Sequence, residues 1–514
     1  MTSVLSDNAI QTRQPWFDRL QRRLQAVDRA HAEMPLASLG LPAMLLLSMA
    51  AGTYLAQAFL AIVAGRHLYG DGSWYLLRML SENQVTMLNA GWHDFFAGRF
   101  GSFAYQEFPT LLAVRLHVRN PQVLSLVYGA TLFSFKPLSI LLCYHFVRDK
   151  RLVIFPLLTL FAVTMNSEVY MVTETHLMTA LLWPALFGII FCRELKSWDL
   201  AAMALVSAPL LLCYEVMAVY GLFLCAACVY RYFAIAESRR EKWLNWMLFA
   251  WYTAAVVLAV LAIVFPRDLA QREGFLKSVL FVFRNNHIGA RVSCIVLVIG
   301  GLIVLIPERY RKAINALTAV AILCSLAIPF YIVRYPQLTH FGTHVIARTM
   351  NASVPLLLVC AFVVIYFRLL RPGTLQFQRL FVIAAVLGIC QSGWSLVATT
   401  QWSDMLTVLR AELRTHHGPL PLEQTALYQW TVDGQPMRTL HAEWPVISLS
   451  ILYSDHRTVQ TIIVPPAAGF RPFDPYSESS LPNLQRFGFT YAPYLAALAA
   501  EQEDGSRDAP QQVR

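Results

Sequence analysis

Four acids stand out in a chain that is otherwise apolar: Asp71, Glu168, Glu174 and Glu215. Charges at membrane depth are costly, so those that persist there are candidates for function. A carboxylate can deprotonate an acceptor hydroxyl, and cationic groups can hold a leaving phosphate. Asp71 lies between Gly70 and Gly72, which allow close approach of the backbone, and ahead of Trp74 and Tyr75, whose rings could stack on a sugar. Arg334, His340, His344 and Arg348 form a cationic cluster suited to clamping a phosphate. Arg66, Arg78, Arg99, Arg115, Arg284, His287 and Arg291 are further phosphate partners by type. The chemistry these groups fit is transfer of a sugar from a lipid phosphate. Each also has a structural alternative. Asp71 could be a helix N-cap, the glutamates hairpin tips or ion-pair partners, and the arginines headgroup anchors. His340 and His344 are spaced as a helical metal pair, but no third ligand lies within sequence reach.

The elements that must position these groups follow from composition. Of 514 residues, 57% are hydrophobic and 14% charged, and the mean hydropathy is +0.49. A soluble domain carries about 25% charged residues, so lipid must cover the surplus apolar surface. A soluble enzyme, a disordered chain and a fibrous protein are excluded. The net charge of +10 is explained by basic turns on the cytoplasmic side, not by nucleic acid. All nine cysteines lie in apolar runs, which argues against a disulfide framework or a zinc site.

Residues 1–35 are polar and read as a cytoplasmic segment, with no cleavable signal peptide. Residues 41–63 form the first span and residues 65–120 a long outer loop, opening with a surface helix over 73–82. Further apolar runs follow at 121–147, 152–165, 177–192, 200–230, 243–265, 292–306, 313–332, 353–367 and 380–399. The run 200–230 would be about 45 Å long as one helix, and basic turns flank it on both sides. It therefore reads as two helices with a tip at Tyr214 and Glu215, giving about eleven spans, an inside N-terminus and an outside C-terminus. The hairpins bearing Glu168, Glu174 and Glu215 are short, so their tips sit at or below the outer surface, in a pocket open to lipid and water.

An acid just after the first span, opening a long outer loop with surface helices, resembles the GT-C superfamily of polytopic membrane glycosyltransferases. The short acid-tipped hairpins and the polar tail are similar as well. The resemblance covers residues 36–400 in layout, and Asp71 is the position that matches. It implies an all-α transmembrane bundle, a polyprenyl-phosphate-linked sugar as donor, and inversion at the anomeric carbon with Asp71 as general base. A cell-envelope lipid, glycan or protein would be the acceptor, and a divalent cation is left open as cofactor. The expected location is a bacterial inner membrane. Two other readings stay open, a transporter or flippase and an O-antigen-type polymerase or ligase.

Residues 401–500 read as a small outer α/β domain. A helix is expected over 404–414, strands over 444–453 and 459–464, and a closing helix over 492–500. Residues 501–514 read as a disordered tail.

Overall fold

The computed structural model describes residues 21–25, 34–85, 100–165, 174–192, 196–213, 215–265, 288–334, 344–431, 440–466 and 471–508. It is a helical membrane protein, and among the described residues seven helices are long and apolar enough to cross a bilayer. These are α1 (Leu41–Val63), α4 (Pro121–Phe146), α8 (Met217–Ala234), α9 (Arg239–Val264), α10 (Ile288–Leu305), α11 (Arg311–Arg334) and α13 (Thr374–Thr415). Further helices fill the gaps: α2 (Asp71–Glu82), α3 (Phe100–Arg115), α5 (Ile154–Thr159), α6 (Glu174–Phe191), α7 (Ser197–Ser207) and α12 (His344–Tyr366). The 200–230 run is broken, as its length predicts: helical structure ends at Leu212 and resumes at Met217.

The first and last long helices run parallel. Gly40, before α1, approaches Gln378 near the start of α13. One α1 length further on, Trp402 Nε1 donates to Ala64 O (2.9 Å). The polar segments before α1 and after α13 therefore lie at opposite ends of the bundle.

The basic turns gather at the end where α1 begins. Met34 bridges Asp149, beside Arg148, Lys150 and Arg151. His145 meets Asp199 at 2.9 Å, and Arg231 donates to the carbonyls of Ile189 and Cys192. Tyr230 bonds Tyr366 (2.9 Å), and Gln376 Nε2 reaches Ile306 O (2.7 Å). Charge sorting along the sequence is thus a sorting in space. Tags before residue 25 and after residue 508 should accordingly report opposite sides in a protease-protection assay; same-side protection would overturn the parallel packing.

The polar segment corrects the sequence reading in three places. The last apolar run and the helix expected over 404–414 are one 42-residue rod, α13, so a boundary at residue 400 falls inside a helix. The strand expected over 444–453 is instead a helix, α14 (Val446–Leu452), with Val446 to Ile451 buried without a break. Continuous burial suits a helix wedged between other elements as well as it suits a strand. The sheet is also slight, because β1 (Gly418–Pro421) pairs in parallel with β2 (Thr461–Val464) and nothing else. The closing helix, α15 (Ala492–Asp508), continues beyond residue 500.

Candidate functional site

Asp71 is the first residue of α2, and its carboxylate does not cap the helix: Gly70 is the N-cap, with no side-chain bond. Gly70 holds φ 65° and ψ −129°, backbone that only glycine adopts without strain. That turn swings Asp71 toward the polar domain, where its Oδ1 accepts a hydrogen bond from Trp444 Nε1 (2.8 Å). The surrounding contacts repeat the theme. Tyr69 Oη accepts from the His441 amide (3.0 Å), and Trp74 lies against Phe473 with ring centres 6.2 Å apart. Arg486 donates to Leu80 O. A Cβ on Gly65 would come within 2.6 Å of Tyr453 Oη, so glycine is what admits the domain here. Helix α2 thus lies in the seam between the bundle and the polar domain, with Asp71 half-buried in it.

His441 sits in the same seam. Burial pushes its imidazole below the usual value, and its Nδ1 is buried without a hydrogen-bond partner among the described residues. A neutral imidazole here can accept or relay a proton. No three His, Cys, Asp or Glu side chains converge among the described residues. The Trp444 N–H that Asp71 accepts from is a donor, which a divalent cation cannot use as a ligand, and no step is routed through a metal.

The other expected residues are placed as follows. Tyr75 turns inward, edge-on to Phe103 at 4.9 Å. Glu215 is half-buried at the break between α7 and α8. Arg334 is exposed at the end of α11. Glu174, His344 and Arg348 lie at the starts of α6 and α12, and their side chains are outside the described set, as are Glu168 and His340. The cationic cluster 334–348 is therefore not assembled within the described residues.

Two buried polar groupings were not read from the sequence. Arg66, a candidate phosphate partner by type, is fully buried. Its Nη1 donates to Ser395 O (2.5 Å), Ser395 Oγ (2.8 Å) and Thr399 Oγ1 (2.9 Å). Ser395 Oγ in turn donates to Gln57 Oε1 (2.7 Å), so the arginine ties α1 to α13. The second grouping lies one layer under α2, past the Tyr75–Phe103 contact. Gln106 and Glu107 on α3, Lys136 on α4 and His176 on α6 are all at most 4% exposed. Gln106, Lys136 and His176 line a common cavity of about 10 Å³, room for one water. Lys136 is ten residues from the end of α4 at Phe146, about 15 Å up the helix, near mid-depth of a hydrocarbon core of about 30 Å. A lysine in the middle of an apolar span was the signal available.

His67, in the turn after α1, is fully buried. Its ring lies 2.6 Å from where a Cβ on Gly129 would sit, and Nε2 is 3.0 Å from Ser125 Oγ. Burial pushes its pKa from 6.5 down to about 3; the Ser125 contact opposes the drop and the Arg66 charge adds to it. The unfolded chain then binds a proton between those values that the folded chain refuses. The associated stability is present above pH 6.5 and is lost as pH falls toward 3. By pH 5 the loss is about 2 kcal/mol. Thermal unfolding in detergent at pH 7.5 and pH 5 should show a smaller acid shift for His67→Phe than for the wild type. Equal shifts would clear His67 of the effect.

No family model matches the chain, and neither a curated protein nor a solved structure matches it.

Proposed function

We propose that the chain is a membrane glycosyltransferase of the GT-C type. It moves a sugar from a polyprenyl-phosphate donor to a cell-envelope lipid, glycan or protein at the outer face, crossing the bilayer about eleven times. The observation that carries the reading is Asp71 at the end of the bundle away from the basic turns, half-buried in the seam with a polar domain and held by Trp444. The basic turns mark the cytoplasmic end, so Asp71 belongs to the outer one. A lipid-borne sugar can reach such a seam from the membrane and an acceptor from water. The carboxylate would take the acceptor hydroxyl's proton as the hydroxyl attacks the anomeric carbon. The sugar–phosphate bond breaks and the lipid phosphate leaves. The Trp444 bond holds the carboxylate in place in the seam.

The test incubates the purified protein in detergent with a panel of polyprenyl-phosphate sugars and follows release of lipid phosphate. Release with a covalent sugar product supports the transferase. Uptake into vesicles without a covalent product would replace it with a transporter.

A further inference from the structure

In two helices of the bundle an interior proline orphans a backbone carbonyl, and a hydroxyl from a neighbouring helix takes that carbonyl up. Pro355 in α12 has no N–H to offer Asn351 O, four residues earlier. That carbonyl accepts instead from Tyr220 Oη of α8 (2.7 Å) and Thr179 Oγ1 of α6 (3.3 Å). Tyr220 Oη also reaches Ala352 O (2.9 Å). Pro184 in α6 likewise leaves Ala180 O, which accepts from Ser139 Oγ of α4. Ser139, Thr179, Tyr220 and Asn351 are all at most 4% exposed. At this depth a freed carbonyl must find its donor within the protein, and in both helices a side chain supplies it.

The two ends of α12 are held differently. Below Pro355, toward the basic end, rings fix it: Phe362 lies edge-on to Phe155 and Trp183, at 5.6 and 6.1 Å, and Tyr230 bonds Tyr366 (2.9 Å). At the proline the helix lacks a rung of its own ladder, and the hydroxyls of α8 and α6 stand in for it. A rung made by a side chain opens without unwinding the helix, which is where membrane helices bend. We infer that Pro355 is a hinge and Tyr220 its latch. When the Tyr220 bond opens, the outer end of α12, residues 344–351, swings against the ring-packed inner end. Thr179 directly precedes Ala180, whose carbonyl Pro184 orphans, so the movement passes to the outer end of α6. Residues 174, 344 and 348 ride on these two outer ends, and Tyr220 follows Glu215 by five residues. The hinge gives outer acids and cations that lie apart along the chain a means of approaching one another. It does not depend on the transferase reading.

The test follows hydrogen–deuterium exchange by mass spectrometry in the full-length protein in dodecyl maltoside, comparing amides 348–354 with amides 356–366. Tyr220→Phe keeps the ring and removes the hydroxyl. It should speed exchange over 348–354 by about tenfold, the scale set by one buried hydrogen bond, and leave 356–366 unchanged. Tyr230→Phe, which removes a hydroxyl from the lower tie, should leave 348–354 unchanged. Pro355→Ala returns an N–H to Asn351 O, so it should slow exchange over 348–354 below the wild type. Added to Tyr220→Phe, it should bring that exchange back to the wild-type rate or below. If Tyr220→Phe does not fold, Pro355→Ala alone decides: slower exchange over 348–354 supports the hinge, and unchanged or faster exchange overturns it. Tyr220→Phe that quickens both stretches equally, or a double variant as fast as Tyr220→Phe, also overturns it.

Discussion

Asp71→Asn should lower transfer by about 10²- to 10⁴-fold, the usual contribution of a general base, with expression and melting temperature unchanged. The asparagine side-chain oxygen can still accept from Trp444 Nε1, as Asp71 Oδ1 does at 2.8 Å, so the seam stays closed. What disappears is the group that takes the proton. The loss should fall on kcat more than on KM, because the carboxylate acts as the acceptor oxygen attacks and not in holding the donor. Trp444→Phe makes the complementary case. It keeps the base but frees its position, and should cost less than the asparagine. Release of lipid phosphate by Asp71→Asn at the wild-type rate would remove Asp71 from the mechanism.

Arg66→Met should destabilise the protein by about 1–3 kcal/mol, the range for leaving buried polar acceptors unsatisfied. The guanidinium is fully buried, and Nη1 alone engages Ser395 O, Ser395 Oγ and Thr399 Oγ1. Methionine fills similar volume but removes the donor from those buried acceptors. Arg66→Lys should restore part of the loss, because all three bonds come from one nitrogen and an ammonium carries three N–H donors. The effect is read as a fall in apparent melting temperature in detergent. A variant as stable as the wild type would show that α1 and α13 hold without this tie.

The bundle was legible because membrane helices announce themselves through length and apolarity. The break near Glu215 was legible because one continuous helix there would overshoot the bilayer. The polar domain was harder. Residues 446–451 are all buried, and a short helix buried over six consecutive residues has no solvent face to betray its period. The seam was legible by half. Asp71 could be singled out by its place after the first span. Its partner Trp444 and the His441 that meets Tyr69 come 373 and 372 residues after the residues they bond, in a segment whose hydropathy says nothing of where it docks. Arg66 was misjudged by type: an arginine at a membrane edge looks like an anion binder until its hydroxyl and carbonyl partners on α13 are seen. Lys136 could have been found, since its charge interrupts the second span, but its neighbours on α3 and α6 come from folding.

The 42-residue helix α13 begins at the basic end of the bundle and ends under β1. As a straight rod it is about 63 Å long, roughly twice the thickness of the hydrocarbon core. Its lower half is packed inside the bundle against α1, α10 and α11, and its upper half carries the polar domain. A tilt adopted to match a thinner or thicker bilayer is therefore passed on without loss. Ten degrees at the base would carry the far end sideways by about 11 Å over that length. Bilayer thickness thus becomes a mechanical input to how far the polar domain, with Asp71 docked against it, leans over the membrane surface.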